Sequence, residues 1–382
     1  VQARVNASCP DGEAIASIGD DGSVSCISIP AAFAHVIDAA NNVGSDIDLA
    51  LRNDDRPVLA YYYASATALR LHLCANRACS DGVTRNIDAS GDVGRGVALA
   101  LTSDGRPVVA YQDTTNLALK LYTCDNADCS LSSRRTLDDT RDVTTSIDLV
   151  IRNDGRPLVV YGDNTNFEAQ VYDCADVSCS SGTRRYLTSS MFVGSDLAIE
   201  LDPAGLPVIA KGGNAGGGVP IYLVRCSDVN CAGAKTVIAL ASKTANKLDL
   251  IIRSNDRALI ATTGSGVGVE VLECTNATCS AVTAYPIDTN ASDRVSLVEA
   301  AAQPALAFRR FVAADQSYLR LHRCVSSSCL DGSSRVLDGG PGEAVGNAAV
   351  VAVRSDGRPV VAHYDSLNED LLLHVCGNPN CL

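Results

Sequence analysis

From Val97 onward the chain alternates short apolar bursts with polar turns. Val97-Ala98-Leu99-Ala100-Leu101 leads into Asp104-Gly105-Arg106-Pro107, then Val108-Val109-Ala110-Tyr111, then the polar Asp113-Thr114-Thr115-Asn116. An apolar run from Leu117 to Thr123, a Cys124–Cys129 loop and Arg134-Arg135-Thr136-Leu137-Asp138 complete the unit. Apolar runs this short, bounded by Gly, Asn, Asp and Ser, predict four β-strands. A sustained helical period is absent, so almost no helix is expected.

The unit repeats. Seven Cys-x4-Cys pairs mark it: Cys74 and Cys79, Cys124 and Cys129, Cys174 and Cys179, Cys226 and Cys231, Cys274 and Cys279, Cys324 and Cys329, Cys376 and Cys381. Their first members lie 50, 50, 52, 48, 50 and 52 residues apart. A constant period means an array of one supersecondary unit, and four antiparallel strands per unit predict an all-β, seven-bladed β-propeller. A linear solenoid is the competitor, and the ends of the chain separate the two. The last repeat runs through a third strand, Asp370 to Val375, and stops at Leu382 without a fourth. Ala34-His35-Val36-Ile37-Asp38 precedes the first inner strand, Ile47 to Leu51, and matches the fourth-strand pattern. The N-terminal strand is therefore expected to complete the last blade, leaving no unpaired inner edge. A solenoid needs polar capping repeats, and none is visible.

Residues 1–31 fall outside the repeat, so the chain divides into 1–31, a small head, and 32–382, the propeller. Within the head, Cys9-Pro10-Asp11-Gly12, Ala14 to Ile18, and Asp20 to Cys26 read as a hairpin stapled by Cys9–Cys26. So short a piece cannot build its own core. It is expected to dock on the propeller, on another copy, or on an upstream or neighbouring surface component.

Composition narrows the function. With 31 basic and 44 acidic residues in 382, the net charge is −13, which argues against nonspecific nucleic-acid binding. No apolar run approaches the roughly 20 residues that span a bilayer. The chain begins at Val1 with no charged or apolar leader, and reads as a mature product or a fragment. Sixteen cysteines in eight pairs predict disulfides, an oxidising compartment and export. Zinc is the alternative, but it needs about four converging ligands, each blade offers two cysteines, and no histidine stands at a compensating spacing.

Candidate chemistry is sparse. Asp-Gly-Arg-Pro at Asp104–Pro107, Asp154–Pro157 and Asp356–Pro359 reads as a hairpin turn. Asp-x-x-Asn recurs between the second and third strands at Asp113/Asn116, Asp163/Asn166 and Asp365/Asn368. These side chains either cap their own turns or hold a calcium ion or sugar hydroxyls, and they are the candidate ligand residues. Asp48, Asp148 and Asp249 share one inner-strand position and are the candidate metal residues, set against a hydrogen-bonded structural role. His72, His322 and His374 each stand two residues before a blade's first cysteine, where Tyr122 and Tyr172 stand elsewhere, which groups them as structural. No nucleophile–His–Asp set has independent support, so no catalytic residues, and no cofactor beyond a structural calcium, are expected.

The repeat resembles one found in many bacterial secreted proteins: apolar strand, Asp-Gly-x-Pro-Val-Val-x-Tyr, Asp-x-x-Asn, apolar strand, Cys-x4-Cys. The resemblance covers about 40–382 and is closest at Val97–Cys129 and Ile147–Cys179. It implies a propeller and export, without an activity. The head is similar to a Cys-Pro-x-Gly…Asp-Gly-x-Val-x-Cys cassette of bacterial surface and fibre-like proteins, which implies a place in an assembly. The expected function is a non-enzymatic extracellular binding or structural propeller, used in adhesion or as the subunit of a surface filament. A lectin is the alternative, with few aromatics and no Trp to stack on sugars. A glycosidase or lyase is the second alternative.

Overall fold

A computed structural model of the chain describes residues 13–18, 23–28, 32–187, 196–212, 220–240, 245, 247–264, 268–290, 294–300, 303–313, 316–326, 329 and 331–381. Its described residues form seven four-stranded antiparallel sheets and one two-stranded hairpin, with a three-residue 3-10 turn at Ala64–Ala66.

Blade two shows how the sequence makes a blade. Its strands are Val93–Leu101, Pro107–Asp113, Ala118–Cys124 and Ser132–Asp138, paired in chain order. Gly105, at φ 78°, lets the first hairpin turn tightly, with its N–H on Thr102 O at 2.8 Å. The two middle strands are buried along their whole length, and the fourth is largely exposed. That gradient follows from blades stacked face to face around an axis.

Beyond the third strand, the second cysteine of each pair takes a left-handed φ near 50°: Cys129 at 53°, Cys231 at 52°, Cys279 at 50° and Cys329 at 49°. The turn so formed brings each second sulfur back onto the first. Cys74 is bonded to Cys79, Cys124 to Cys129, Cys174 to Cys179, Cys226 to Cys231, Cys274 to Cys279, Cys324 to Cys329 and Cys376 to Cys381. Each loop this small adds about 2 kcal/mol in the chain-entropy account.

Apolar cores lie between blades, one per seam. The seam that closes the ring packs Val43, Ile47 and Tyr61 of blade one on Val350, Ala362 and Leu373 of blade seven. Blade seven consists of Asn347–Val353, Pro359–Asp365, Asp370–Cys376 and, as its fourth strand, Ala32–Asp38 from the N-terminus. His35 lies in register with Leu373, as the sequence predicts. A polar latch reinforces the closure: Ser355 N–H and Oγ–H donate to the Asp55 carboxylate at 2.8 and 2.6 Å.

Blade six departs from the pattern. Its second and third strands, Gln303–Ala313 and Gln316–Cys324, have 11 and 9 residues, against 7 each in blade two. In the head, Glu13–Ile18 pairs with Val24–Ser28 as a sheet of its own. The expected Cys9–Cys26 bond involves Cys9, which lies outside the described residues.

Candidate functional site

The Asp-x-x-Asn pairs are closed on themselves. Asp113 accepts from Asn116 N–H at 3.0 Å and from Asn116 Nδ2 at 2.8 Å, and Lys120 Nζ sits 2.6 Å from the same carboxylate. Asp163 accepts from Asn166 at 3.3 and 2.9 Å, and Asp365 from Asn368 at 3.3 and 2.6 Å. Asp113 and Asp163 are fully buried. Each carboxylate satisfies the polar groups of its own turn. The blade-seven pair differs in its surroundings, because Asp365 and Asn368 line a cavity of about 510 Å³.

The cysteines are structural braces. Cys231, Cys279 and Cys329, like the other second members of the pairs, are buried, and each has its sulfur in a disulfide within its own blade. They pack into the apolar cores of three different seams. A sulfur held in a disulfide is no thiolate, so these pairs offer no metal ligands.

Around the axis, Asp48, Asp148 and Asp249 line a cavity of about 120 Å³. Each joins two blades through backbone amides. Asp48 accepts from Leu49 N–H at 2.8 Å and from Leu99 N–H of blade two at 2.6 Å. Asp148 accepts from Leu149 and, in blade four, Ile199, both at 2.7 Å. Asp249 accepts from Leu250 at 2.8 Å and, in blade six, Leu297 at 2.7 Å. The enclosing ring pushes the pKa of Asp48 and of Asp249 up to about 6, against the pull of those amides. Asp148 is raised too, by burial and by the charges of Asp48 and Asp249.

At three seams one polar cluster recurs. The fifth residue of a blade's second strand, Tyr61, Tyr111 or Tyr161, donates its hydroxyl to the aspartate ending the previous blade's fourth strand. The bonds are Tyr61 to Asp38 at 2.7 Å, Tyr111 to Asp88 at 2.7 Å and Tyr161 to Asp138 at 2.6 Å. Cations complete each cluster: Arg70 on Asp38, Lys120 and Arg134 on Asp88, Arg184 on Asp138. Burial opposes the charge on Asp138, yet hydrogen bonds from Thr140, Tyr161 and Arg184 outweigh it and hold the pKa low. Tyr161→Phe is expected to cost about 1.5–3 kcal/mol, the range for a hydrogen bond to a charged group, read as a lower urea midpoint. An unchanged midpoint contradicts the cluster's role.

In blades four to seven the tyrosine position holds Lys211, Thr262, Phe308 and His363. The blade-seven case is chemically distinct. His363 Nε2 lies 3.0 Å from His374 Nε2 and 3.2 Å from Asp338 Oδ2, and His374 Nε2 lies 3.4 Å from the same oxygen. Both rings are buried. Burial lowers the pKa of His363 despite the pull of Asp338. Asp338 is held well below the usual carboxylate range, because the two histidines outweigh its burial. Asp338 and His374 also line the 510 Å³ cavity, beside Glu343, Asp365 and Asn368.

Repeat position groups His374 with His72 and His322, but the structure separates them. His72 Nδ1 meets Thr84 Oγ1 at 2.8 Å, and His322 Nδ1 meets Ser334 Oγ at 2.9 Å. Opposite His374 the N-terminal strand places Ala34, which has no hydroxyl. The signals available in the sequence were His363 at a tyrosine position and Ala34 at a hydroxyl position. A second group with metal-like spacing, His72 with Cys74 and Cys79, has both sulfurs in a disulfide, so neither serves as a thiolate ligand.

No protein-family model matches the chain, and no curated protein matches it. Solved structures do. A protein of unknown function from Dyadobacter fermentans superposes with TM-score 0.53 at 11% identity, over 91% of this chain and 99% of that one. An ulvan lyase bound to -[GlcA(1-4)Rha3S]- gives 0.55 at 8%, over 88% and 94%. BBS1N, in complex with ARL6DN, gives 0.56 at 11%, over 91% and 97%. At such identities the likeness concerns the ring fold alone.

Proposed function

We propose that the protein is a secreted binding propeller of a bacterial surface, and that it holds a hydroxyl-rich ligand, a glycan, in the cavity between blades six and seven. One observation carries this reading. At three seams a tyrosine and a cation fill the space around the aspartate, whereas this seam opens into about 510 Å³ lined by Asp338, Glu343, Asp365, Asn368 and His374. Carboxylates and an amide converging on one cavity are the groups that orient a polar ligand. Seven disulfides support an oxidising, extracellular setting, and no described helix is long and apolar enough to cross a membrane. Residues 1–31 attach the ring to further copies or to a neighbouring surface component, as an adhesin or filament subunit requires.

A glycan array probed with and without calcium tests the proposal. The wild type is expected to retain one glycan class unaltered, and Asn368→Ala to lose it. Absence of wild-type signal in both conditions overturns it. Lyase chemistry is the second reading, favoured by His374 at the cavity wall, where an imidazole is placed to take a proton next to a uronate carboxylate. Unsaturated ends appearing in uronate polysaccharides decide for the lyase, and intact chains recovered with the protein decide for binding.

A further inference from the structure

We infer that Asp338, His363 and His374 form a mononuclear site for a divalent transition metal, zinc by preference, with a coordination position open to the cavity between blades six and seven. The inference stands apart from whether that cavity holds a glycan.

Charge comes first. Elsewhere the aspartate ending a fourth strand meets a cation at one of two repeat positions. The third strand supplies Arg70 to Asp38, Lys120 to Asp88 and Arg320 to Asp288, and the fourth supplies Arg134 to Asp88 and Arg184 to Asp138. In blade seven those positions are Leu372 and Ala34. Among the described residues, no lysine or arginine pairs with Asp338, and its partners are the two imidazoles. This seam has lost its cation and gained two nitrogen ligands.

Geometry agrees. The three atoms form a triangle with edges of 3.0, 3.2 and 3.4 Å. Ligands about 2.0–2.1 Å from a tetrahedral zinc stand about 3.3 Å apart. Protons satisfy the same triangle only in part while Asp338 is ionised. If both Nε2 atoms carry hydrogen, the nitrogen–nitrogen edge sets donor against donor. If only one does, an edge between the bare nitrogen and the carboxylate or its neighbour sets lone pair against lone pair. A central cation satisfies all three edges together.

The surroundings orient the carboxylate for the site and require one imidazole to change tautomer. Gly339 N–H donates to Asp338 Oδ1 at 2.8 Å, which orients the carboxylate and leaves Oδ2 to the imidazoles, a common outer-shell arrangement. Metal at His363 Nε2 places the ring proton on Nδ1, at the cost of the hydrogen bond that Nδ1 now accepts. Gly346 N–H, now 3.2 Å from Nδ1, has to turn aside. Three protein ligands beside a cavity of mixed polar and apolar lining leave a fourth position for water or a ligand oxygen.

The test uses the whole, oxidised chain. It is stripped with EDTA, exchanged into metal-free buffer and titrated calorimetrically with zinc chloride, and bound zinc is counted by mass spectrometry after gel filtration. One zinc per chain is expected. His374→Ala and Asp338→Asn are each expected to weaken binding at least about 100-fold, above the range for outer-shell changes. His72→Ala, at the equivalent place in blade one, retains it. Circular dichroism and melting of the stripped proteins establish that the variants are folded, and His374→Gln replaces His374→Ala if the latter is not. Less than half a zinc per chain at tenfold excess overturns the inference. So does stoichiometric zinc that survives both His374→Gln and Asp338→Asn.

Discussion

A chain lacking residues 1–38 is expected to lose at least about 5 kcal/mol of stability, whereas one lacking only residues 1–31 keeps a urea midpoint close to that of the full chain. The longer deletion removes the fourth strand of blade seven. Six register pairs with Asp370–Cys376 disappear, and each lost hydrogen bond costs about 1 kcal/mol net. Asp38 goes as well, so Tyr61 and Arg70, which bond it at 2.7 and 2.6 Å, are left with a buried hydroxyl and a mostly buried guanidinium to resolvate. The strand Asp370–Cys376 becomes a bare edge, which invites pairing with another chain. The shorter deletion leaves all of this in place. Urea titration with gel filtration reads both variants. Equal midpoints for the two mean that Ala32–Asp38 does not hold the ring shut.

The architecture was legible because it is written in local, periodic terms. A turn such as Asp104–Pro107 and a loop such as Cys124–Cys129 each need only a few neighbouring residues, and their spacing counts the blades. Even the closure was readable, since Ala34–Asp38 carries the fourth-strand pattern ahead of the first blade. The site was less legible, because seams are built from residues of different blades. Asp338 lies in the fourth strand of blade six, while His363 and His374 lie 25 and 36 residues onward, and no local pattern joins them. Aligning repeats on their cysteines placed His374 among structural histidines. What sets it apart is Ala34, which reaches it from the far end of the chain. The Asp-x-x-Asn motif misleads for the opposite reason. It is conspicuous because every tight turn needs its amides satisfied, and Asp113 and Asp163 spend their oxygens there.

Asp148→Ala is expected to cost about 2–4 kcal/mol at pH 5, and the loss relative to wild type is expected to shrink at pH 8. The substitution leaves Leu149 and Ile199 N–H, both 2.7 Å from the carboxylate, without an acceptor, and each unsatisfied buried group costs about 1–3 kcal/mol. The pH dependence follows from burial. The carboxyl group is buried beside the axial cavity of about 120 Å³, and burial, with the charges of Asp48 and Asp249, raises the pKa of Asp148. Between the unfolded value of about 3.9 and the raised folded value, the folded chain holds a proton that the unfolded chain releases. Stability therefore falls as pH rises through that window, more steeply in the wild type than in the variant. Asp48 and Asp249 keep part of the dependence in the variant, since burial raises both to about 6. The layout reflects the same constraint. Blades one, three and five supply carboxylates and blades two and four supply Ala98 and Ala198, so like charges alternate with neutral neighbours. Seven is odd, so the alternation fails once, where neutral Ser296 of blade six adjoins neutral Val350 of blade seven, and the Ser296 hydroxyl accepts from Val351 N–H at 3.2 Å. Urea titrations of both proteins at pH 5 and pH 8 measure the gap. A gap that widens at pH 8 means that these carboxylates are charged in the folded ring. Lys247 and Arg294 line the same space and balance part of that charge, and calcium, added and then chelated, tests for a further cation by moving the wild-type midpoint and not that of Asp148→Ala.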